Sequence, residues 1–186
     1  MEENNNHSKN INITGVNNRY QIKKLIKENK EIKKRVDSMN WNFSDEYFTH
    51  PSQLQVINEI KLNNYNFTDD VSKIALQQIN KKLYGYKQQD ILKKCFIEKS
   101  FVNIEEIIDS MIDCKLSCYY CKDNMSVLYD ISREMKQWSI DRIDNDKGHN
   151  KDNYYLACLD CNLKRRKRSD DKFLFTKQLN ILKQDT

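Results

Sequence analysis

Two Cys-x-x-Cys pairs, Cys118/Cys121 and Cys158/Cys161, stand with 36 residues between them in a chain of 186. Each short spacing lets two thiolates of one loop face a common ion, so the pairs together read as a tetrahedral four-cysteine Zn²⁺ site. The opening residues, MEENNNHSKN, lack the apolar stretch of a signal peptide. An intracellular, reducing compartment is therefore expected rather than secretion, and disulfides would not persist there. Such a zinc site is structural, since four thiolates fill the shell and leave no position open for catalysis. It would also supply folding energy, which a chain only 38% hydrophobic and 32% charged needs. Cys95 and Cys114 have no partner at ligand spacing and read as small buried hydrophobes.

Composition removes several classes. Three Gly and one Pro argue against collagen-like, propeller and sandwich architectures, which need frequent turns. No apolar run approaches the roughly 18 residues of a membrane span, so no membrane partner is expected. The net charge of +5 permits an anionic partner without naming one.

Residues 1–18, Asn-rich and nearly free of large apolar groups, read as a disordered leader. From Arg19 to Met39, Ile22, Leu25, Ile26, Ile32, Val36 and Met39 recur at helical spacing among lysines, which predicts a basic amphipathic helix. A short helix follows Pro51. Asp69 and Asp70 with Thr68 cap another, closed by Gly85, and a further helix is expected from Gln88 to about Phe96. Asn103 with Glu106 forms a capping-box start for a helix through Ile112. Residues 19–113 thus form a mainly helical region, expected to position DNA or a partner. Beyond it the pattern changes: 125–131 and 137–143 are strand-like, and 154–157 is a short aromatic strand ending at Cys158. The run after Cys161 reads as one helix, basic at first through Lys164, Arg165, Arg166, Lys167 and Arg168. The expected fold class is α+β, with a zinc-stabilised ββα module over residues 114–186.

Between the cysteine pairs lie SIDRIDNDKGHNKDN, and Asn162 directly follows Cys161 with Lys164 beyond. This order, CYYC … SIDRIDNDKGHNKDN … CLDCNLK, resembles the HNH (His-Me finger, ββα-metal) endonucleases that carry a four-cysteine zinc site. The resemblance covers about residues 114–168. It implies hydrolysis of DNA phosphodiester bonds with a catalytic Mg²⁺ or Mn²⁺ ion held by Asp141 and Asn162. It also implies that Asn153 braces the loop through backbone hydrogen bonds. The basic run beginning at Lys164 would then contact the phosphate backbone, and paired nicks on two strands would suit a homodimer.

One position departs from the family pattern. Arg142 stands where the family carries its general-base His, and a guanidinium stays protonated near neutral pH. Arg142 could instead clamp a phosphate bidentately. Three readings of the missing base stay open: His149 reaches in from the loop, a metal-bound water is activated with help from Asp144, or the module only binds. Two further functions also stay open, a non-catalytic zinc module that binds nucleic acid and a structural or assembly protein with a zinc clip.

Overall fold

The computed structural model describes residues 32–66 and 69–179. The expected leader 1–18 and most of the helix Arg19–Met39 lie outside them. The described residues from Lys34 onward form one compact unit, so the change of character at 113/114 is not a break in packing.

Two 3-10 turns, Asp37–Asn40 and Asp45–Phe48, lead into α1, His50–Leu62, with Pro51 in its first turn where no amide partner is needed. α2 runs Asp70–Leu92 and starts where the Asp69 carboxylate accepts the Ser72 amide at 2.7 Å. α3, Ile104–Asp113, opens on the expected capping box: Asn103 and Glu106 each satisfy the other's backbone amide. β1, Trp138–Arg142, pairs antiparallel with β2, Tyr154–Cys158, placing Asp141 opposite Tyr155. α4, Leu159–Arg165, follows β2 without a break, and α5 spans Asp170–Gln178. The described residues are therefore α+β, five helices and one two-stranded sheet. None of these helices is long and apolar enough to cross a membrane. One core joins the helices to the sheet through Ile57, Ile60, Ile79, Ile107, Met111, Tyr120 and Trp138.

Four local expectations are corrected. Residues 32–36 are not helical, because tertiary contacts outweigh helix propensity there. Lys34 bridges Ile131, and the Arg35 guanidinium lies 4.2 Å over the Tyr129 ring while bonding Gln78 at 2.7 Å. Gly85 does not end its helix, and α2 continues through it to Leu92, absorbing the separate helix expected from Gln88. One glycine costs a helix only about 1 kcal/mol, which a well-packed 23-residue helix tolerates. Residues 125–131 form no strand, because the buried amide of Gln53 takes a strand partner's place. Its Oε1 accepts the Val127 and Leu128 amides at 2.6 and 3.0 Å, and its Nε2 donates to the Leu128 carbonyl at 3.0 Å. Finally, the basic C-terminal helix is two helices, divided at Arg166, whose φ of 55° is left-handed.

The sheet is held from outside by α2. Lys82 donates to the Trp138 carbonyl and the Tyr86 hydroxyl accepts the Ile140 amide at 3.0 Å. On the other side, the Tyr119 amide donates to the Leu156 carbonyl at 2.9 Å.

Candidate metal centre and adjoining cleft

The loop after α3 and the β2–α4 junction bring Cys118, Cys121, Cys158 and Cys161 together, their sulfurs all within 4.8 Å of one another. The junction positions two of them because Cys158 caps α4: its sulfur accepts the Cys161 amide at 3.4 Å. The Cys158 amide donates in turn to the Cys118 sulfur at 3.3 Å. A hydrogen bond from the Cys158 thiol, aided by backbone amides, draws Cys118 down to about 5 despite its burial. Four sulfurs at this separation could hold a metal ion, and soft thiolates favour zinc. Tyr119 and Tyr155 stack in parallel at 3.7 Å beside the cluster, and Tyr120 meets Phe173 edge-on at 4.9 Å.

A cleft of about 320 Å³ lies where α2, β1, the loop after it and α4 meet. Tyr86, Ser139, Asp141, Arg142, Asn145, His149 and Asn162 line it, with Leu159 and Leu163 at its apolar edge. Four of the residues singled out in the sequence therefore share one wall space. Asn153 stands behind them as a loop brace. Its Oδ1 accepts the Asp144 amide at 2.8 Å, and its Nδ2 donates to the carbonyls of Asp144 and Gly148, both at 3.0 Å.

Arg165 is corrected from the surface role expected of it. Its side chain is buried beside β1, where Nε and Nη2 grip the Asp141 carboxylate and Nη2 also reaches the Arg142 carbonyl. The Tyr120 hydroxyl adds a third hydrogen bond to Asp141 at 2.6 Å. Burial pushes the Asp141 carboxyl upward, opposed by Arg165 and Tyr120. Of the basic run, Lys164, Arg166, Lys167 and Arg168 remain exposed, with Lys164 paired to Asp160 at 2.7 Å.

These contacts test the expected cation site. Asn162 donates its Nδ2 to Ser139 Oγ at 3.1 Å and to the Ile140 carbonyl at 3.0 Å, which leaves its Oδ1 without a protein partner among the described residues. Asp141 Oδ2 accepts two hydrogen bonds and Oδ1 only one. Asn162 Oδ1 and the remaining acceptor capacity of Asp141 Oδ1 are hard oxygens of the kind that suits Mg²⁺ or Mn²⁺. The resemblance implies a free ligand at Asp141, whereas its carboxylate is already shared with Arg165.

His149 is 3% exposed, and its ring packs on Tyr86 at 4.6 Å. Its Nδ1 lies 2.7 Å from Asp90 Oδ1, and its backbone amide donates to Asp90 Oδ2 at 2.6 Å. Its Nε2 has no protein partner among the described residues, and the residue lines the cleft. Burial lowers the imidazole below its ordinary value, with the Asp90 charge opposing and Arg142 and Lys93 assisting. Arg142 spends one donor on the Lys147 carbonyl at 2.9 Å. Sequence reasoning missed Asp90. A signal was present, however: Gln78, Lys82, Tyr86 and Asp90 recur every four residues, a polar stripe on one helix face. All four make contacts outside α2, to Arg35, Trp138, Ile140 and His149.

No protein-family model, curated protein or solved structure matches the chain.

Proposed function

We propose that the protein is an HNH-type endonuclease that hydrolyses DNA phosphodiester bonds, with His149 as its general base. The observation that carries this reading is the setting of His149, held at Nδ1 by Asp90, without a protein partner at Nε2 among the described residues, and lining one cleft with Asp141, Arg142 and Asn162. A neutral imidazole with a bare nitrogen can accept the proton of an attacking water. The water oxygen then bonds to phosphorus as the bond to the 3′ oxygen breaks in line. That oxygen takes a proton from solvent, giving a 5′-phosphate and a 3′-hydroxyl. Arg142, permanently charged, keeps donors for the phosphate oxygens after its single bond to Lys147. A Mg²⁺ or Mn²⁺ ion held by Asp141 and Asn162 would neutralise charge on the phosphate and on the leaving oxygen. Arg166, Lys167 and Arg168 would hold the flanking backbone. A Zn²⁺ ion held by Cys118, Cys121, Cys158 and Cys161 would fix α4, which carries Asn162, against the sheet, which carries Asp141.

A plasmid-nicking assay with Mg²⁺ or Mn²⁺ tests the reading. Wild type should nick, and His149→Gln should lose about 10²-fold or more. Nicking that survives His149→Gln would remove the assigned base. The commitment of Asp141 to Arg165 favours a second reading, a zinc module that binds DNA without cutting. Intact DNA binding with no cleavage in either metal would select it.

A further inference from the structure

We propose that Asp90, on helix α2, is the positioning residue for His149, so that the helical region supplies part of the catalytic site rather than a separate DNA-positioning domain. The inference rests on His149 acting as the base. Asp90 is fully buried, and among the described residues its carboxylate pairs with no lysine or arginine. Its hydrogen bonds go to the His149 amide, the His149 ring and, more weakly, the Cys95 thiol at 3.8 Å. A buried carboxylate without a cationic partner is costly, and an asparagine could tie the loop amide at far lower cost. What only a carboxylate does here is accept the loop amide on one oxygen and a proton-bearing Nδ1 on the other, and stabilise with its charge the imidazolium that forms when Nε2 takes a proton.

The geometry is built to bring the two together. Gly148 precedes the histidine, and a Cβ there would lie 2.7 Å from the Cys95 carbonyl oxygen and 2.8 Å from Asp90 Oδ2. Only glycine lets the loop approach the carboxylate this closely. Tyr86, one turn earlier on α2, presses its ring on the imidazole and fixes β1 through Ile140. One helix face therefore sets both the base and the strand that carries Asp141 and Arg142.

The charged and titratable groups facing His149 are Asp90 and Tyr86 from α2, Lys93 just beyond it, and Arg142 from β1. Three of them are cationic or neutral. Removing the Asp90 charge should thus lower the imidazole further and release its tautomer.

The experiment uses the full chain and two readouts. Nitrogen NMR of the His149 ring should show Nδ1 protonated and Nε2 bare in wild type. In Asp90→Asn it should show a changed tautomer balance and titration at lower pH. In the nicking assay Asp90→Asn should lose roughly 10- to 100-fold in kcat and move the acidic limb of the pH profile downward, with Asp90→Glu recovering part of the rate. An unchanged tautomer and titration in Asp90→Asn overturns the proposal. So does a normal pH profile in that variant where His149→Gln is inactive. Absence of cleavage by wild type overturns the nuclease reading instead, and the NMR result then decides alone whether Asp90 governs the ring. Should Asp90→Asn unfold, Gly148→Ala displaces the loop while keeping the carboxylate. It should reproduce the kcat loss, and full activity with a displaced ring would refute the proposal.

Discussion

Arg165 of α4 and Asp141 of β1 form a bidentate ion pair, Nε to Oδ2 at 2.5 Å and Nη2 to Oδ1 at 3.1 Å, with side chains 1% and 5% exposed. Breaking one side of such a pair strands the other charge in a poor solvent. Arg165→Met is expected to cost about 3–5 kcal/mol by urea denaturation. Arg165→Met combined with Asp141→Asn removes both charges and should cost less than the sum of the single changes. Strict additivity would show that the two residues are not coupled.

Metal removal should be felt as loss of folding. Elemental analysis of purified protein is expected to find one zinc per chain, and a strong chelator or Cys158→Ser should lower the Tm markedly. Ligand thiols must shed protons to bind, so the chelator should act faster as pH falls. A metal-free chain with an unchanged Tm would remove the structural role of the cluster.

Lys82 carries a pH signature. It is held among the Tyr129 and Trp138 rings, at 5.4 and 4.8 Å, and burial, aided by Arg35, takes it down to about 7. An unfolded lysine titrates near 10.4. Between these values the unfolded chain binds more protons, so stability should rise with pH across that window. Lys82→Met should flatten the rise between pH 7 and 10, as read from denaturation midpoints.

Gly148→Ala should destabilise the fold by about 1–3 kcal/mol, because the nearest obstacle is the backbone carbonyl of Cys95 rather than a side chain that can swing away. Gly85→Ala is the contrast. A Cβ at Gly85 meets nothing within 4 Å, and in a helix interior the change should stabilise by up to about 1 kcal/mol.

If DNA is bound through the exposed part of the basic run, Arg166→Gln with Lys167→Gln should weaken binding evenly across sequences. With two phosphates no longer neutralised, the slope of log affinity against log salt should shrink by about 1.8. An unchanged slope would place the DNA elsewhere.

What could be read in advance was whatever local chemistry determines. The capping box at Asn103 and Glu106, the strand ending at Cys158 and each Cys-x-x-Cys pair depend on residues a few positions apart. The misreadings come from partners distant in sequence. Gln53 replaces a strand neighbour for residues 127 and 128, and Arg35 is drawn out of a helix by Tyr129 and Gln78. Arg165 reads as one of a solvated run, although it follows Cys161 by four residues and therefore shares that cysteine's inward face. Asp90 lies 59 residues from His149, and the polar stripe that marks it on α2 does not say which distant residue it meets.

The two-stranded sheet has a consequence for how this protein meets other chains. A lone hairpin normally offers two open rims of amides and carbonyls, which any extended peptide can zip onto. Here Lys82 and Tyr86 occupy bonding groups along β1, and the Tyr119 amide takes a carbonyl of β2. The sheet is closed at these points to strand-by-strand recruitment. A second copy approaching either strand would meet these side-chain and loop contacts before a bare strand rim.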